Sequence, residues 1–327
     1  MKKLIQQFPQ QLSEAIAIGR ANKINFENTT FNQVLLSGLG GSGIGGTIVQ
    51  DYMNDKLSIP FAVNKNYAIP KSVQKNTLFI ACSYSGNTEE TIQAVQEAKK
   101  RKAIIVCITS GGLLADFAKK NKYPCIVIPA GMPPRACLGY SLVQILYILY
   151  YANLLNVSFE KELLSAIELV KKETKAIQKQ AQTIASKLLN KLIAIYSVVG
   201  NEGLAIRFRQ QLNENSKVLA WHNITPEMTH NEIVGWKTAH DELAIILCSN
   251  ASDYERNIER MRILKTVIKK YSNNIIEIKT KGENFWERSF YFIHLTDWVS
   301  VFLADLNGAD AIEVKVIDFL KGTMAKK

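Results

Sequence analysis

Two loops decide the fold, GLGGSGIGG at residues 38–46 and CSYSGNTEET at residues 82–91. Each loop follows a short apolar run and precedes a stretch that we predict to be helical. Loops that follow neighbouring parallel strands meet at one end of the sheet, so these two should lie together. Glycine lets a ligand approach the backbone closely, and the first N–H groups of a helix are unpaired and carry the positive end of its dipole. The two loops therefore predict a binding site for phosphate.

Hydroxyl groups strengthen this prediction, because each can donate a hydrogen bond to a phosphate oxygen. They belong to Ser42, Ser83, Ser85 and Thr88. A dinucleotide is the first alternative ligand, because residues 38–43 also fit the pattern G-x-G-x-x-G loosely. A dinucleotide-binding domain would place an acidic residue about 20 positions further on, to bind ribose. The chain has AVNKNYAIP there, at residues 62–70, which disfavours a dinucleotide.

Length and composition indicate a soluble protein of two domains. The chain has 327 residues, 47% of them hydrophobic, and a domain averages roughly 150 residues. Residues 1–11 lack the apolar core of a signal peptide, and the apolar residues 142–155 are too short to span a membrane. We therefore expect a cytoplasmic protein without a membrane partner.

The net charge of +11 suits either nucleic acid or small anions. Its lysines are dispersed, and no basic stripe with interleaved aromatic residues occurs, so nucleic acid is not an expected partner. A positive field would speed the encounter with phosphorylated metabolites.

The five cysteines form no C-x-x-C pair, which predicts buried thiols rather than disulfides or a zinc site. Cys137 lies in a loop of interest, but the absence of a histidine nearby in sequence argues against a thiol nucleophile.

Nearly continuous apolar runs predict strands that are buried on both faces of a parallel sheet. In the first half they cover residues 34–39, 78–83, 104–109 and 125–129, with helices at 45–53, 88–100, 113–120 and 141–155. In the second half, an amphipathic stretch at 159–189 leads to strands at 192–199, 243–248 and 274–278. The predicted fold is α/β, two doubly wound domains with mostly parallel sheets, at residues 1–155 and 156–327.

The two halves look internally related. Residues 198–206 align with the strand, glycine loop and helix start near residues 39–48, and AIILCSNASD at 244–253 resembles LFIACSYSGN at 78–87. The offset is about 160 residues in both cases, which indicates two copies of one fold. The second copy has lost most of its Ser, Gly and Thr, so its loops are available for another role.

Chemistry beyond phosphate binding is expected at two further segments. In AGMPPRACLGYS (residues 130–141), two prolines restrict the backbone before Arg135, whose planar guanidinium could hold an oxyanion. In RFRQQLNENSK (residues 207–217), Glu214 lies between two asparagines. The alternatives are a surface arginine in a stiff loop and a solvated helical glutamate, and Arg207 and Arg209 could also be surface charges.

Of the four histidines, His230 is the preferred candidate for acid–base chemistry. It lies in MTHNEIVGW (residues 228–236), with Thr, Asn and Glu beside it. His222 is a competitor, whereas His294 lies in an apolar run and should be packed in the core.

Together these motifs resemble the sugar isomerase (SIS) fold, and more closely the bifunctional phosphoglucose/phosphomannose isomerases, which have two SIS domains. The resemblance covers nearly the whole chain, including the terminal IDFLK at residues 317–321. CSYSGNTEET alone indicates only an SIS phosphate loop. Its occurrence together with PPR and NEN…HNE is far more specific.

The resemblance implies a role for each candidate residue. Ser83, Ser85 and Thr88 match the phosphate-binding loop, and Gly41 and Ser42 match the glycine loop that faces the sugar. Arg135 matches the arginine beside the reacting carbons, Glu214 the general base, His230 the ring-opening histidine, and Lys321 the C-terminal active-site lysine. The family forms homodimers in which the neighbouring subunit supplies the histidine.

The resemblance also implies the reaction. Glucose 6-phosphate or mannose 6-phosphate would be interconverted with fructose 6-phosphate through an enediol(ate), without a metal or cofactor. An acid–base pair opens the ring, a base moves a proton between C1 and C2, and positive charge stabilises the enediolate.

Some points stay open. Lys315 competes with Lys321, and Ala311 and Val314 stand where the family can have a proline and a polar residue, so the balance of glucose and mannose activity is undecided. The other functions considered are an amino-sugar phosphate isomerase or deaminase and a non-catalytic sugar-phosphate sensor.

Overall fold

Two parallel β-sheets, each flanked by helices, organise the computed structural model, which describes residues 1–324. The strands are β1 (Gln33–Ser37), β2 (Phe61–Asn64), β3 (Thr77–Ser83), β4 (Ile104–Thr109), β5 (Cys125–Val127), β6 (Leu192–Val198), β7 (Ala220–Thr225), β8 (Leu243–Cys248) and β9 (Ile275–Ile278). The α-helices are α1 (Lys2–Gln6), α2 (Phe8–Ala21), α3 (Gly40–Met53), α4 (Glu89–Lys100), α5 (Gly112–Asn121), α6 (Leu138–Tyr151), α7 (Ser158–Leu188), α8 (Glu202–Gln211), α9 (Glu255–Ile268), α10 (Phe285–Leu306) and α11 (Lys315–Met324). Within the described residues, no helix is both long enough and apolar enough to span a membrane.

The first sheet has the strand order β2-β1-β3-β4-β5, and all its pairings are parallel. Every residue of β3 is buried, as is most of β4, because helices cover both faces of the sheet. The chain leaves β1 toward β2 on one side, and β3 lies on the other side of β1. The carboxyl ends of β1 and β3 therefore form the switch point where α/β sheets bind ligands.

The second sheet repeats this plan. Its order β7-β6-β8-β9, again all parallel, matches β2-β1-β3-β4 of the first sheet. The segments β1–α3 and β3–α4 correspond to β6–α8 and β8–α9, as the internal sequence similarity predicts. The prediction of two α/β domains with parallel sheets is confirmed.

Two strands, β2 and β7, were not predicted. Both lie at the edge of their sheet, where one side of the strand has no neighbour, and their residues are mostly half-buried. β7 reads AWHNIT, a mixture of polar and apolar residues that lacks the continuous apolar pattern of a central strand.

The glycine loop is largely helical, which corrects the predicted helix start at residue 45. Helix α3 begins at Gly40, because glycines let its first turns pack against neighbouring backbone. A methyl group on Gly43 would lie 2.3 Å from the carbonyl oxygen of Gly38. On Gly46 it would lie 2.7 Å from the side chain of Leu36. Helix propensity is therefore overridden by close packing.

Helices join the two halves. α3 packs against its counterpart α8, and the 31-residue α7, which packs along α10, also contacts α2 of the first half. Helix α11 follows α10 through a short connection and has no buried residue. The loop at the carboxyl end of β1 consequently lies close to the end of α8, where Glu214 is found.

Candidate active site

The loop after β3 holds the predicted phosphate-binding hydroxyls in one place. Ser83 is buried, and its Oγ lies 2.8 Å from Oγ1 of Thr88. Thr88 precedes the first residue of α4, but its hydroxyl makes no capping hydrogen bond to that helix. Ser85 is exposed at the tip of the loop, where its Oγ accepts a hydrogen bond from the N–H of Asn87 at 3.2 Å. The loop thus presents hydroxyls beside the N-terminus of α4, where the helix dipole favours an anion.

The glycine loop lies against this phosphate loop. The Oγ of Ser42 accepts a hydrogen bond of 3.0 Å from the N–H of Tyr84. Gly41 lies against the loop that carries Arg135. A methyl group at Gly41 would come within 2.8 Å of the Pro134 carbonyl oxygen and 3.3 Å of the backbone nitrogen of Arg135. Glycine at this position therefore allows three loops, after β1, β3 and β5, to meet.

Arg135 and Glu214 face each other although they are 79 residues apart in sequence. Nη1 of Arg135 lies 3.3 Å from Oε2 of Glu214. Arg135 is 6% exposed, so it is not a surface residue. Burial lowers the pKa of Arg135, and the Glu214 carboxylate opposes that shift. The pair lines a narrow cleft with Gly41 and Gln210, which brings a carboxylate and a cation beside the glycine loop.

A π-helical turn positions Glu214. It covers Leu212–Ser216 at the end of α8, and π turns inside helices are frequent at functional sites because they redirect side chains. The next residue, Asn215, is fully buried; its Oδ1 accepts a 2.7 Å hydrogen bond from Nε of Arg135, and its Nδ2 donates to Ser300. The two asparagines of the NEN motif flank Glu214 in sequence, but only the structure shows that Asn215 orients Arg135.

Arg207 is buried and contacts the backbone of Arg135, so the alternative that Arg207 is a surface charge is wrong. It is 4% exposed and forms a bidentate ion pair with Asp297 of α10, at 2.8 and 3.0 Å. Its Nη2 also donates to the carbonyl oxygen of Arg135 at 3.2 Å. Gln211 donates to the same Asp297 carboxylate at 2.7 Å. This buried network was not recognisable from sequence, because Arg207 is adjacent in space, not in sequence, to its partners.

The segment before α11 is tied to the same residues. Nη2 of Arg135 donates to the carbonyl oxygens of Ala311 and Ile312, at 2.6 and 3.1 Å. Nζ of Lys217 donates to the carbonyl oxygens of Glu214 and Glu313, both at 2.6 Å. The start of the C-terminal helix therefore depends on the arginine and on the turn that carries Glu214.

The structure does not bring the two candidate lysines to Glu214 within one chain. Lys315 and Lys321 both lie on α11 and are exposed. Within residues 1–324, the side chain of neither lysine forms a hydrogen bond or an ion pair. The choice between them stays open.

His230 is also separate from Glu214 in the single chain. It ends a 3₁₀ turn, Glu227–His230, that follows the edge strand β7. Its ring is exposed, and within the described part of the chain it makes no hydrogen bond. The competitor His222 lies between a cation and a carboxylate, with its Nδ1 3.3 Å from Nη1 of Arg209 and its Nε2 3.9 Å from Oε1 of Glu202. Burial lowers the pKa of His222, and Arg209 lowers it further.

The core assignments from sequence agree with the structure. His294 is fully buried, and burial lowers its pKa to about 4. Cys137 is 2% exposed, and burial raises the pKa of its thiol to about 11, so it is not a ready nucleophile at neutral pH.

The second domain fills its own equivalent of the phosphate loop. After β8, the carboxylate of Asp253 accepts hydrogen bonds from the backbone N–H of Asn250 at 2.7 Å and from Nδ2 of Asn201 at 3.1 Å. Asn201 precedes α8 and Asn250 follows β8, so these donors come from the two loops at the switch point of the second sheet. An internal carboxylate thus occupies donors that a phosphate would otherwise use. The second domain therefore lacks an open loop like the one that follows β3 in the first domain.

Comparison with known proteins agrees with the fold. The model for the SIS domain matches residues 30–130, and the model for the bacterial phospho-glucose isomerase C-terminal SIS domain matches residues 177–324. The C-terminal domain of glucosamine-fructose-6-phosphate aminotransferase from Francisella tularensis has a similar structure, with a TM-score of 0.75 and 16% identity; the match covers 96% of this chain and 97% of that one. At this identity the likeness concerns the fold alone.

Two curated relatives resemble the chain far more in sequence. A bifunctional phosphoglucose/phosphomannose isomerase from Caldicellulosiruptor bescii is 38% identical over 98% of both chains. Another from Aquifex aeolicus is 35% identical over 91% of this chain and 92% of its own. The family resemblance seen in the motifs is confirmed: the chain belongs to the family of bifunctional phosphoglucose/phosphomannose isomerases, built from two SIS domains.

Proposed function

We propose that this protein is an aldose–ketose isomerase that interconverts glucose 6-phosphate or mannose 6-phosphate with fructose 6-phosphate through an enediol(ate). The relatives from Caldicellulosiruptor bescii and Aquifex aeolicus carry both activities in their names. The observation that carries the proposal for this chain is the pairing of Glu214 with Arg135 at 3.3 Å, beside the glycine loop. The proposed substrate is a sugar phosphate.

The phosphate would bind between the hydroxyls of Ser83, Ser85 and Thr88 and the N-terminus of α4. Gly41 and Ser42 would face the sugar, since the glycine loop lies between the phosphate loop and Arg135. The reacting carbons would then reach the cleft lined by Arg135 and Glu214. Anchoring the phosphate keeps C1 and C2 near these groups, which lowers the entropic cost of reaction.

In this proposal Glu214 transfers the proton between C1 and C2. Its carboxylate is within hydrogen-bond reach of Arg135, whose positive charge stabilises the enediolate oxygen. Asn215 and the carbonyl oxygens of Ala311 and Ile312 hold the arginine in place. A preorganised cation of this kind requires little rearrangement when charge develops in the transition state.

Ring opening is assigned to His230 of the neighbouring subunit of a homodimer, assisted by Lys321 or Lys315 of α11. Two observations support a dimer. His230 is exposed on a well-anchored turn and, within residues 1–324, forms no hydrogen bond or ion pair with Glu214 of its own chain. Helix α11 exposes an apolar face, with Val316 81% and Phe319 75% exposed, which a second subunit would cover.

The same chemistry accounts for two substrates. Glucose 6-phosphate and mannose 6-phosphate are epimers at C2, and removal of the C2 proton destroys that stereocentre. A site in which the C1–C2 unit can rotate returns the proton to either face. One base, Glu214, therefore suffices for both activities.

A coupled assay tests the proposal. Purified protein is given fructose 6-phosphate, and glucose 6-phosphate and mannose 6-phosphate are followed with separate coupling enzymes. We expect both products, without added metal or amine donor. Formation of neither product would contradict the isomerase function. Turnover that requires an amine donor would instead favour amino-sugar phosphate chemistry, and binding without turnover would favour a sensor; the relatives named above favour neither.

A further inference from the structure

Glu232 holds the turn that carries His230. Its Oε1 accepts hydrogen bonds from the hydroxyl of Tyr196 at 2.6 Å and from Nε1 of Trp221 at 3.0 Å. Its Oε2 accepts one from Nδ2 of Asn223 at 2.6 Å. The three donors lie on β6 and β7, the two strands beside the turn. A single carboxylate therefore ties this surface turn to the rigid sheet.

The rest of the turn is anchored on the other side of His230. Met228 is fully buried in the core of the second domain. Oγ1 of Thr229 accepts a 2.8 Å hydrogen bond from Nη1 of Arg260. The side chain of Asn231 caps the following turn by accepting from the N–H of Glu232 at 2.6 Å. His230 is thus fixed by its backbone, with anchors on both flanks.

The backbone of this turn is anchored, whereas the imidazole ring of His230 is not, within the described residues. The ring of His230 is exposed, and it makes no hydrogen bond within residues 1–324. Its position relative to a neighbouring molecule depends entirely on the backbone of residues 228–232. Tyr196 is 1% exposed, and burial together with the nearby Glu232 raises the pKa of its hydroxyl, which therefore remains a donor to that carboxylate.

We infer that Glu232 is a positioning residue: through Tyr196, Trp221 and Asn223 it fixes the turn that presents His230 to the partner subunit's reaction cleft. The inference rests on the proposed function, in which His230 opens the sugar ring. Glu232 would contact no substrate. Its effect on turnover would pass through His230, because a histidine displaced by about 1 Å can lose roughly 100-fold in rate.

A double-mutant cycle tests this. Glu232→Ala, His230→Ala and the double variant are compared with the parent protein for glucose 6-phosphate turnover, well below their melting temperatures. We expect Glu232→Ala to lower kcat by about 10- to 100-fold with little change in KM, since only the ring-opening group moves. The double variant should be no slower than His230→Ala alone, because two residues that act as one unit are not additive.

Two milder variants keep the test informative if Glu232→Ala folds poorly. Glu232→Gln retains an oxygen for Tyr196 and Trp221 but loses the acceptor for Asn223, so it should recover part of the activity. Tyr196→Phe removes one of three donors and should give an intermediate loss, again without further effect when His230 is already alanine. Glu227→Ala is the matched control: Glu227 lies in the same turn and accepts one hydrogen bond, from Asn231 at 2.8 Å. It should leave kcat within about twofold of the parent.

The outcomes distinguish a failure of the proposed role of His230 from a failure of the inference about Glu232. If His230→Ala keeps full activity, the proposed role of His230 fails whatever Glu232 does. If His230→Ala is impaired but Glu232→Ala is not, the inference about Glu232 is overturned. It is also overturned if the two losses multiply in the double variant, since Glu232 would then act independently of His230.

Discussion

Arg135 uses most of its hydrogen-bonding capacity inside the protein. Its Nε donates to Asn215, its Nη1 to Glu214, and its Nη2 to the carbonyl oxygens of Ala311 and Ile312. A guanidinium has five N–H groups, so one N–H remains, on Nη1 beside the carboxylate. The side chain is therefore rigid and keeps a single free donor next to the proposed base.

Replacing Glu214 tests the base at the level of one side chain. Glu214→Gln keeps an oxygen for the 3.3 Å contact with Arg135 but cannot accept a proton. We expect kcat to fall by about 10²- to 10⁴-fold, the usual contribution of a positioned base. Binding of fructose 6-phosphate, measured by isothermal titration calorimetry, should change little because the phosphate loop is untouched.

Glu255→Gln is the matched control, since Glu255 is an exposed glutamate at the start of α9. It should behave like the parent protein. A Glu214→Gln variant with more than a tenth of the parental kcat would exclude Glu214 as the base.

At the scale of elements, the contact between α3 and α8 joins the two domains. A methyl group on Gly203 would lie 2.9 Å from the backbone nitrogen and from Cγ1 of Ile48. The carboxylate of Asp51, on α3, accepts a 2.8 Å hydrogen bond from the N–H of Gly203 in the first turn of α8. One domain thus caps a helix of the other, which satisfies a donor that α8 itself leaves unpaired.

We expect Gly203→Ala to destabilise the protein by about 1–3 kcal/mol, the typical cost of overpacking a tight contact. Urea unfolding followed by circular dichroism measures this. Gly322→Ala is the control, because within residues 1–324 no atom other than its chain neighbours and its own helix backbone lies within 4 Å of a methyl group added there. Equal stabilities of the two variants would mean that the contact between α3 and α8 accommodates the added methyl group without cost.

The Asp51 cap predicts a pH-dependent stability. Burial raises the pKa of Asp51 to about 6, although the Gly203 N–H opposes this shift. A carboxyl with a raised pKa in the folded state contributes stability that is fully present below its unfolded pKa near 3.8 and is lost as pH rises through about 6. Asp51→Asn lacks this titration but keeps an acceptor for Gly203.

The free energy of unfolding of the parent protein should therefore fall relative to that of Asp51→Asn as pH rises from 4 to 7. The change should be about 3 kcal/mol at most, at about 1.4 kcal/mol for each unit of pKa shift. Urea titrations of both proteins across this range measure the difference. A constant difference would show that Asp51 titrates normally in the folded state.

At the scale of the whole molecule, the two copies of one fold carry different candidate residues. The first domain keeps the open loop with Ser83 and Thr88, whereas Asp253 fills the corresponding loop of the second domain. The second domain supplies Glu214 from the end of α8 and His230 from the turn after β7. In the proposed dimer, each site would combine both domains of one chain with the histidine of the other.

Complementation between two inactive variants tests whether each site takes its histidine from the partner subunit. Glu214→Gln and His230→Ala homodimers should each be nearly inactive. After unfolding and refolding an equal mixture, half of the dimers should be mixed, and each mixed dimer should hold one intact site. Roughly a quarter of the parental activity should then appear, because a two-fold dimer has two sites and chains assort at random. No recovery, with dimers verified by light scattering, would place His230 in the site of its own chain.

The continuous apolar runs and the glycine loop suffice to predict the fold, because burial on both faces of a parallel strand leaves a recognisable pattern. The edge strands β2 and β7 leave no such pattern, since only part of each is buried. The start of α3 at Gly40 is not recognisable from sequence either, because glycine has low helix propensity. The glycines of this helix are explained by tertiary contacts instead.

The sequence by itself therefore determined the two α/β domains and the family, and it predicted the phosphate loop and the candidate residues Arg135, Glu214 and His230. The tertiary structure alone decided that Arg135 and Glu214 meet at 3.3 Å, that Arg207 is buried with Asp297, and that His230 stands apart. The physical reason is that local sequence patterns reflect burial and backbone conformation, which are properties of single residues and short segments. Ion pairs and hydrogen bonds between segments depend on how separate elements pack, and that packing leaves no periodic trace in the sequence.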